Sequence, residues 1–111
     1  MNKIPYEQRV ITYTKALICY GKENQMIVAL EELSECQKEI CKALRGETNR
    51  EHLIEEVADA TIMLEQVQLI FDINANVRRI RDYKINRLKM RIAAAECKGW
   101  EDKTESGLLE E

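Results

Sequence analysis

The stretch "ALEELSECQKEI", Ala29–Ile40, decides the fold, because strong helix formers here carry four acids, Glu31, Glu32, Glu35 and Glu39, within three turns. Like charges one turn apart weaken a helix by roughly a few tenths of a kcal/mol per pair, so this side is either solvated or faces something cationic. Leu30 and Leu33, with Met26 before them and Ile40 and Leu44 after, give the predicted packing stripe of a helix over 22–44, which Gly46 ends.

Outward from this helix the same helical period recurs. A first helix is predicted over 6–20, stopping at Gly21. Thr48 with Glu51 three residues on has the form of a capping box and predicts a third helix over 49–71. Asp72, Asn74 and Asn76 break the pattern, and Asn76 is a candidate cap for a fourth helix over 77–97 through Ile80, Leu88 and Ile92. No alternating stretch reads as a strand. Four Gly and one Pro among 45% hydrophobic residues fit an all-α chain, and 111 residues make one domain with a modest core that a partner subunit can complete. The expectation is a helical domain over 1–100 followed by a mobile acidic tail, "EDKTESGLLEE", over 101–111.

The net charge of −3 supplies no field to attract nucleic acid or an anionic membrane, so neither is an expected partner. The N-terminus lacks the apolar core of a signal peptide, and apolar runs such as "TIML" fall far short of the roughly 20 residues that span a bilayer. A cytoplasmic protein is expected, with Cys19, Cys36, Cys41 and Cys97 reduced and packed as small apolar residues.

Glu32 and Glu35 are three residues apart, as are Glu56 and Asp59, so each pair can share one ion. Ala60, Met63, Val67 and Ile70 follow Glu56 and Asp59 at helical spacing and place those two acids in an apolar sector. Bare carboxylates there require a cation or a raised pKa, which a bound metal or a buried ion pair supplies. Glu32 and Glu35 project away from the Leu30 and Leu33 stripe, and by themselves mark a solvated face. If the third helix lies against that face, four carboxylates converge, an all-oxygen set suited to Mg²⁺ or Mn²⁺. On the fourth helix, Lys84 and Arg91 share an apolar stripe with Ile80 and Leu88, and Arg87, one turn on from Lys84, can reach the same neighbourhood. They either snorkel to water or clamp phosphate beside the metal.

Together "YGKENQMIVALEELSE" and "IEEVADATIMLEQ" resemble the MazG-like all-α nucleoside triphosphate pyrophosphohydrolases. The resemblance rests on an EExxE motif at Glu31, Glu32 and Glu35 and an ExxD motif at Glu56 and Asp59, and extends to Gly21, Gln25 and "DYKINRL". It departs from the family pattern at Asp82 and Leu88. What it implies is a four-helix, MazG-type bundle completed by dimerisation, as a homodimer or homotetramer. It further implies Mg²⁺-dependent hydrolysis of an NTP or dNTP between the α and β phosphates, releasing monophosphate and pyrophosphate. In that scheme Glu32, Glu35, Glu56 and Asp59 are the catalytic metal ligands and Lys84, Arg87 and Arg91 hold phosphate. Glu31 and Glu55 are outer groups that orient water. A ferritin-type di-iron site needs Glu-x-x-His pairs, and His52 is the sole histidine, with Asn49 three residues before it. The main rival is a non-catalytic helical oligomerisation or interaction protein.

Overall fold

The computed structural model describes residues 2–95. Cys97, Trp100 and the expected tail lie outside the described residues. Four helices follow in order: α1 (Tyr6–Tyr20), α2 (Lys22–Leu44), α3 (Arg50–Phe71) and α4 (Asn74–Ala94). The fold is all-α and bundle-like, with no strand among the described residues. None of these helices is long and apolar enough to cross a membrane.

The chain divides into two units, Met1–Asn74 and Ala75–Glu111. In the first, α2 and α3 make the principal contact and α1 rests against both. Gly21 alone separates α1 from α2: its φ of 91° is a conformation that side chains with a Cβ rarely adopt, so glycine is what allows one helix to end and the next to begin across a single residue. Its N–H closes α1 onto the Leu17 carbonyl, and its own carbonyl accepts from Gln25 N–H to open α2.

The start of α3 differs from the expected capping box. Asn49 is the cap, accepting from the backbone N–H groups of Glu51 and His52, while Thr48 turns away and donates to the Glu39 carboxylate at 3.3 Å. An amide side chain already in the cap position outcompetes a hydroxyl that has an anion within reach. At the other end of α3, Asp72 takes the left-handed conformation and α4 begins at Asn74, so Asn76 is interior to α4 instead of capping it.

The packing stripe of α2 also differs from the one predicted. The seam runs through Gln25, Ala29, Glu32, Cys36, Glu39 and Ala43, at steps of four and three; of the predicted stripe Met26 and Leu33 are half-buried beside it, whereas Leu30, Ile40 and Leu44 are exposed, Leu44 to 85%. The acid-bearing side of α2 is thus its packed side. On α3, Ala60, Met63 and Gln66 are buried, and Ile54, Val57, Leu64 and Phe71 face outward, so α3 is covered on one side only in this chain. Of the described cysteines, Cys19 and Cys41 are exposed and Cys36 is half-buried, against the expectation of burial. In the second unit no described residue of α4 is buried, including Ile80 and Leu88 of its predicted stripe.

α1 is held to α3 by a polar lock. Arg9 donates through Nε and Nη2 to both carboxylate oxygens of Glu65, at 3.1 and 3.0 Å, and Tyr13 donates to the same carboxylate at 2.6 Å. Burial pushes the Tyr13 hydroxyl up to about 12, and the bond to Glu65 adds to the shift. Burial alone raises the Glu65 carboxyl, but the hydrogen bonds from Arg9 and Tyr13 together outweigh it and hold Glu65 below its ordinary value of 4.5.

Two outcomes follow for urea unfolding. Asn49→Ala is expected to cost about 1 kcal/mol through the lost cap. Because the folded protein holds Glu65 below its ordinary value, its charge stabilises fully above 4.5 and ever less as pH falls through the lower folded value. Glu65→Gln should therefore cost about 1 kcal/mol at neutral pH, with the gap to the native protein narrowing below pH 4.5.

Candidate metal centre

Antiparallel packing brings the middle of α2 against the first half of α3. Glu32 from α2 and Glu56 and Asp59 from α3 each present a carboxylate oxygen, and these three atoms lie within 4.8 Å of one another. Glu32 and Glu56 are half-buried and Asp59 is exposed, so the apolar sector expected around the ExxD pair encloses Glu56 more than Asp59. Asp59 sits at the solvent edge of the group.

The electrostatics are those of anions forced together. Burial raises the Glu32 carboxyl above its ordinary range, and the charges of Asp59 and Glu56 raise it further. Burial is likewise the largest influence on Glu56, followed by the charges of Asp59, Glu35 and Glu39, all in the same direction. The Glu56 Oε2 is buried and has no hydrogen-bond partner. Among the described residues, no Lys, Arg or His lies within ion-pair distance of Glu32, Glu56 or Asp59. An orphaned buried carboxylate oxygen inside a group of three is an unfavourable arrangement for a protein alone, and it fits a hard cation with oxygen ligands.

The other predicted residues fall in different places. Glu35 is exposed and outside the group of three, though close enough for its charge to act on Glu56. Glu31 and Glu55 are exposed next to the ligand positions. Lys84, Arg87 and Arg91 belong to α4 in the second unit, where all three are exposed and Arg87 lies 5.8 Å from the Tyr83 ring centroid. Among the described residues none of the three has an ion-pair partner.

Glu39, given no role from sequence, is 6% exposed and is the most buried acid of α2. Its carboxylate is compensated locally, by Lys42 Nζ at 3.3 Å and by the Thr48 hydroxyl. That pairing separates it from Glu56, which has no such relief. The Glu39–Lys42 spacing was a visible signal, but nothing in the sequence showed that the side carrying it is packed.

No family model, curated protein or solved structure matches this chain. The geometry of the three carboxylates is therefore what bears on function.

Removing one of three mutually repelling acids should relieve the apo protein. In chelator-treated samples, Glu56→Gln is expected to raise the thermal midpoint above that of the native chain and to abolish the further rise that Mg²⁺ or Mn²⁺ gives the native chain. A native chain whose midpoint ignores both ions would show that the acids are not a cation site.

Proposed function

We propose that the chain is a Mg²⁺-dependent nucleoside triphosphate pyrophosphohydrolase, cleaving an NTP or dNTP between its α and β phosphates. The observation that carries the proposal is the Glu56 Oε2, buried without a partner amid the converging carboxylates of Glu32 and Asp59. These three residues would hold the ion, with Glu35 beside them as a further ligand or a group that orients water. A divalent ion bound there would neutralise triphosphate charge and lower the pKa of a coordinated water. The resemblance of the EExxE and ExxD motifs to the MazG-like family supplies the reaction class.

The same resemblance gives Lys84, Arg87 and Arg91 of α4 the task of holding phosphate. Arg87 suits the task because its planar fork matches phosphate oxygens, while Lys84 offers a point charge. Self-association is part of the same proposal. Leu30, Ile40, Leu44, Leu64 and Phe71 are all exposed on the first unit, and a second copy of the chain would cover apolar surface that a monomer leaves in water. A cytoplasmic location, where nucleoside triphosphates and Mg²⁺ are at hand, goes with it.

Incubation of the chain with a panel of NTPs and dNTPs and Mg²⁺ is expected to release pyrophosphate and the matching monophosphate. Glu56→Gln should lower that rate by roughly two orders of magnitude while the circular dichroism stays helical. Absence of product from every nucleotide with either Mg²⁺ or Mn²⁺ would favour a non-catalytic helical interaction protein.

A further inference from the structure

The seam with α3 occupies one side of α2 and leaves the opposite side bare. Along that bare side run Ile27, Leu30, Ser34, Gln37, Cys41 and Leu44, at alternating steps of three and four, and all six are exposed. At about 100° per residue the row lies opposite Gln25, Ala29 and Glu32 of the seam. Its spacing is the heptad pattern by which one helix meets a second in a two-stranded coiled coil. Ile27, Leu30 and Leu44 are 48%, 69% and 85% exposed, a line of large apolar side chains left in water. A shallow groove of about 300 Å³, lined by Ser34, Gln37, Lys38, Cys41 and Arg45, follows the same face.

The two borders of the row differ in chemistry. Glu31, Lys38 and Arg45 recur at seven-residue intervals along one border, and Met26, Leu33 and Ile40 along the other. In a parallel pair of helices each border meets the opposite one, which would set Lys38 and Arg45 against Leu33 and Ile40. In an antiparallel pair each border meets its own counterpart, so charge meets charge and apolar meets apolar.

We infer that two copies of the chain associate through this face of α2, antiparallel about a two-fold axis at the level of Glu35 and Cys36. In that register Ile27 packs on Leu44 of the second copy, Leu30 on Cys41 and Ser34 on Gln37, each contact occurring twice by symmetry. The groove at Cys41 receives Leu30 of the second copy. Next to the axis the Ser34 hydroxyl can donate to the Gln37 amide oxygen, a polar layer of the kind that fixes register. On the charged border Glu31 faces Lys38, and among the described residues neither has an ion-pair partner in its own chain. On the apolar border Leu33 meets Ile40.

Charge also excludes the neighbouring registers. A slip of one heptad in either direction brings Lys38 against Lys38 or Glu31 against Glu31. Because α3 already holds α2 as a helix, association does not have to order it. The inference rests on the self-association included in the proposed function, to which it gives a face and a register, and it is independent of any ion at the acid group.

Sedimentation equilibrium of the full chain tests it. The native chain is expected to be a dimer. Leu30→Asp, at a position 69% exposed, should be monomeric with unchanged helical content by circular dichroism. Glu31→Lys and Lys38→Glu should each weaken the dimer roughly tenfold or more, because two attractive contacts become two repulsive ones. An equimolar mixture of those two variants should pair at native strength, since opposite charges again face each other at both contacts. A monomeric native chain, variants that dimerise as tightly as the native chain, or a mixture no tighter than its components would overturn the inference. The first of these also removes self-association from the proposed function, whereas the second leaves another face to carry it. Pyrophosphate release from nucleotides reads the hydrolase proposal separately.

Discussion

Repulsion between carboxylates on facing helices is the constraint around which the first unit is arranged. Two neighbouring helices of ordinary sequence would bury leucines against each other. Here the contact line of α2 holds Glu32 and Glu39, and that of α3 holds Glu56, so the most extensive helix contact among the described residues also carries buried acids. Small residues make the approach possible: Ala29 and Ala60 are among the few buried positions. The chain then treats its acids unequally. Glu39 is given a lysine and a threonine, Glu65 an arginine and a tyrosine, and the trio between them is given nothing. In the function proposed above, that uncompensated place is where the ion would be held.

The same arrangement explains what the sequence disclosed and what it concealed. The helix limits were legible because they depend on local chemistry: glycine at 21 and 46, and the absence of any β-like alternation. Of the four acids that spacing singled out, Glu32, Glu56 and Asp59 meet, while Glu35 is exposed and outside the group. The packed side of α2 was not legible. Hydrophobicity selects Leu30, Ile40 and Leu44, the larger apolar residues, whereas the seam follows Gln25, Ala29, Glu32 and Cys36, whose burial no transfer scale would favour. Thr48 was misread for a related reason, since only tertiary structure shows that a buried carboxylate nine residues earlier competes for its hydroxyl. The Arg9–Glu65–Tyr13 lock joins residues more than fifty positions apart and leaves no local trace.

Burial in the first unit is unusually polar. Gln25, Glu39 and Gln66 are about as buried as Tyr13, Ala29, Ala60 and Met63, and the latter four are the whole buried apolar set among the described residues. So small an apolar interior offers limited driving force by itself, which gives directional contacts a larger share in fixing the position of α1. Those contacts converge on Glu65, one turn beyond Thr61 on the helix that also carries two of the clustered acids. The lock that seats α1 and the residues that would meet a ligand are thus set out along one rod, α3.

The single-residue junction at Gly21 limits how this architecture can drift in sequence. With no loop between α1 and α2, one inserted or deleted residue has no slack to absorb it. Each such step turns α1 by about 100° about its own axis. Arg9 and Tyr13 would be carried away from Glu65. Longer connections elsewhere tolerate changes in length; here the register of an entire helix is written into one glycine.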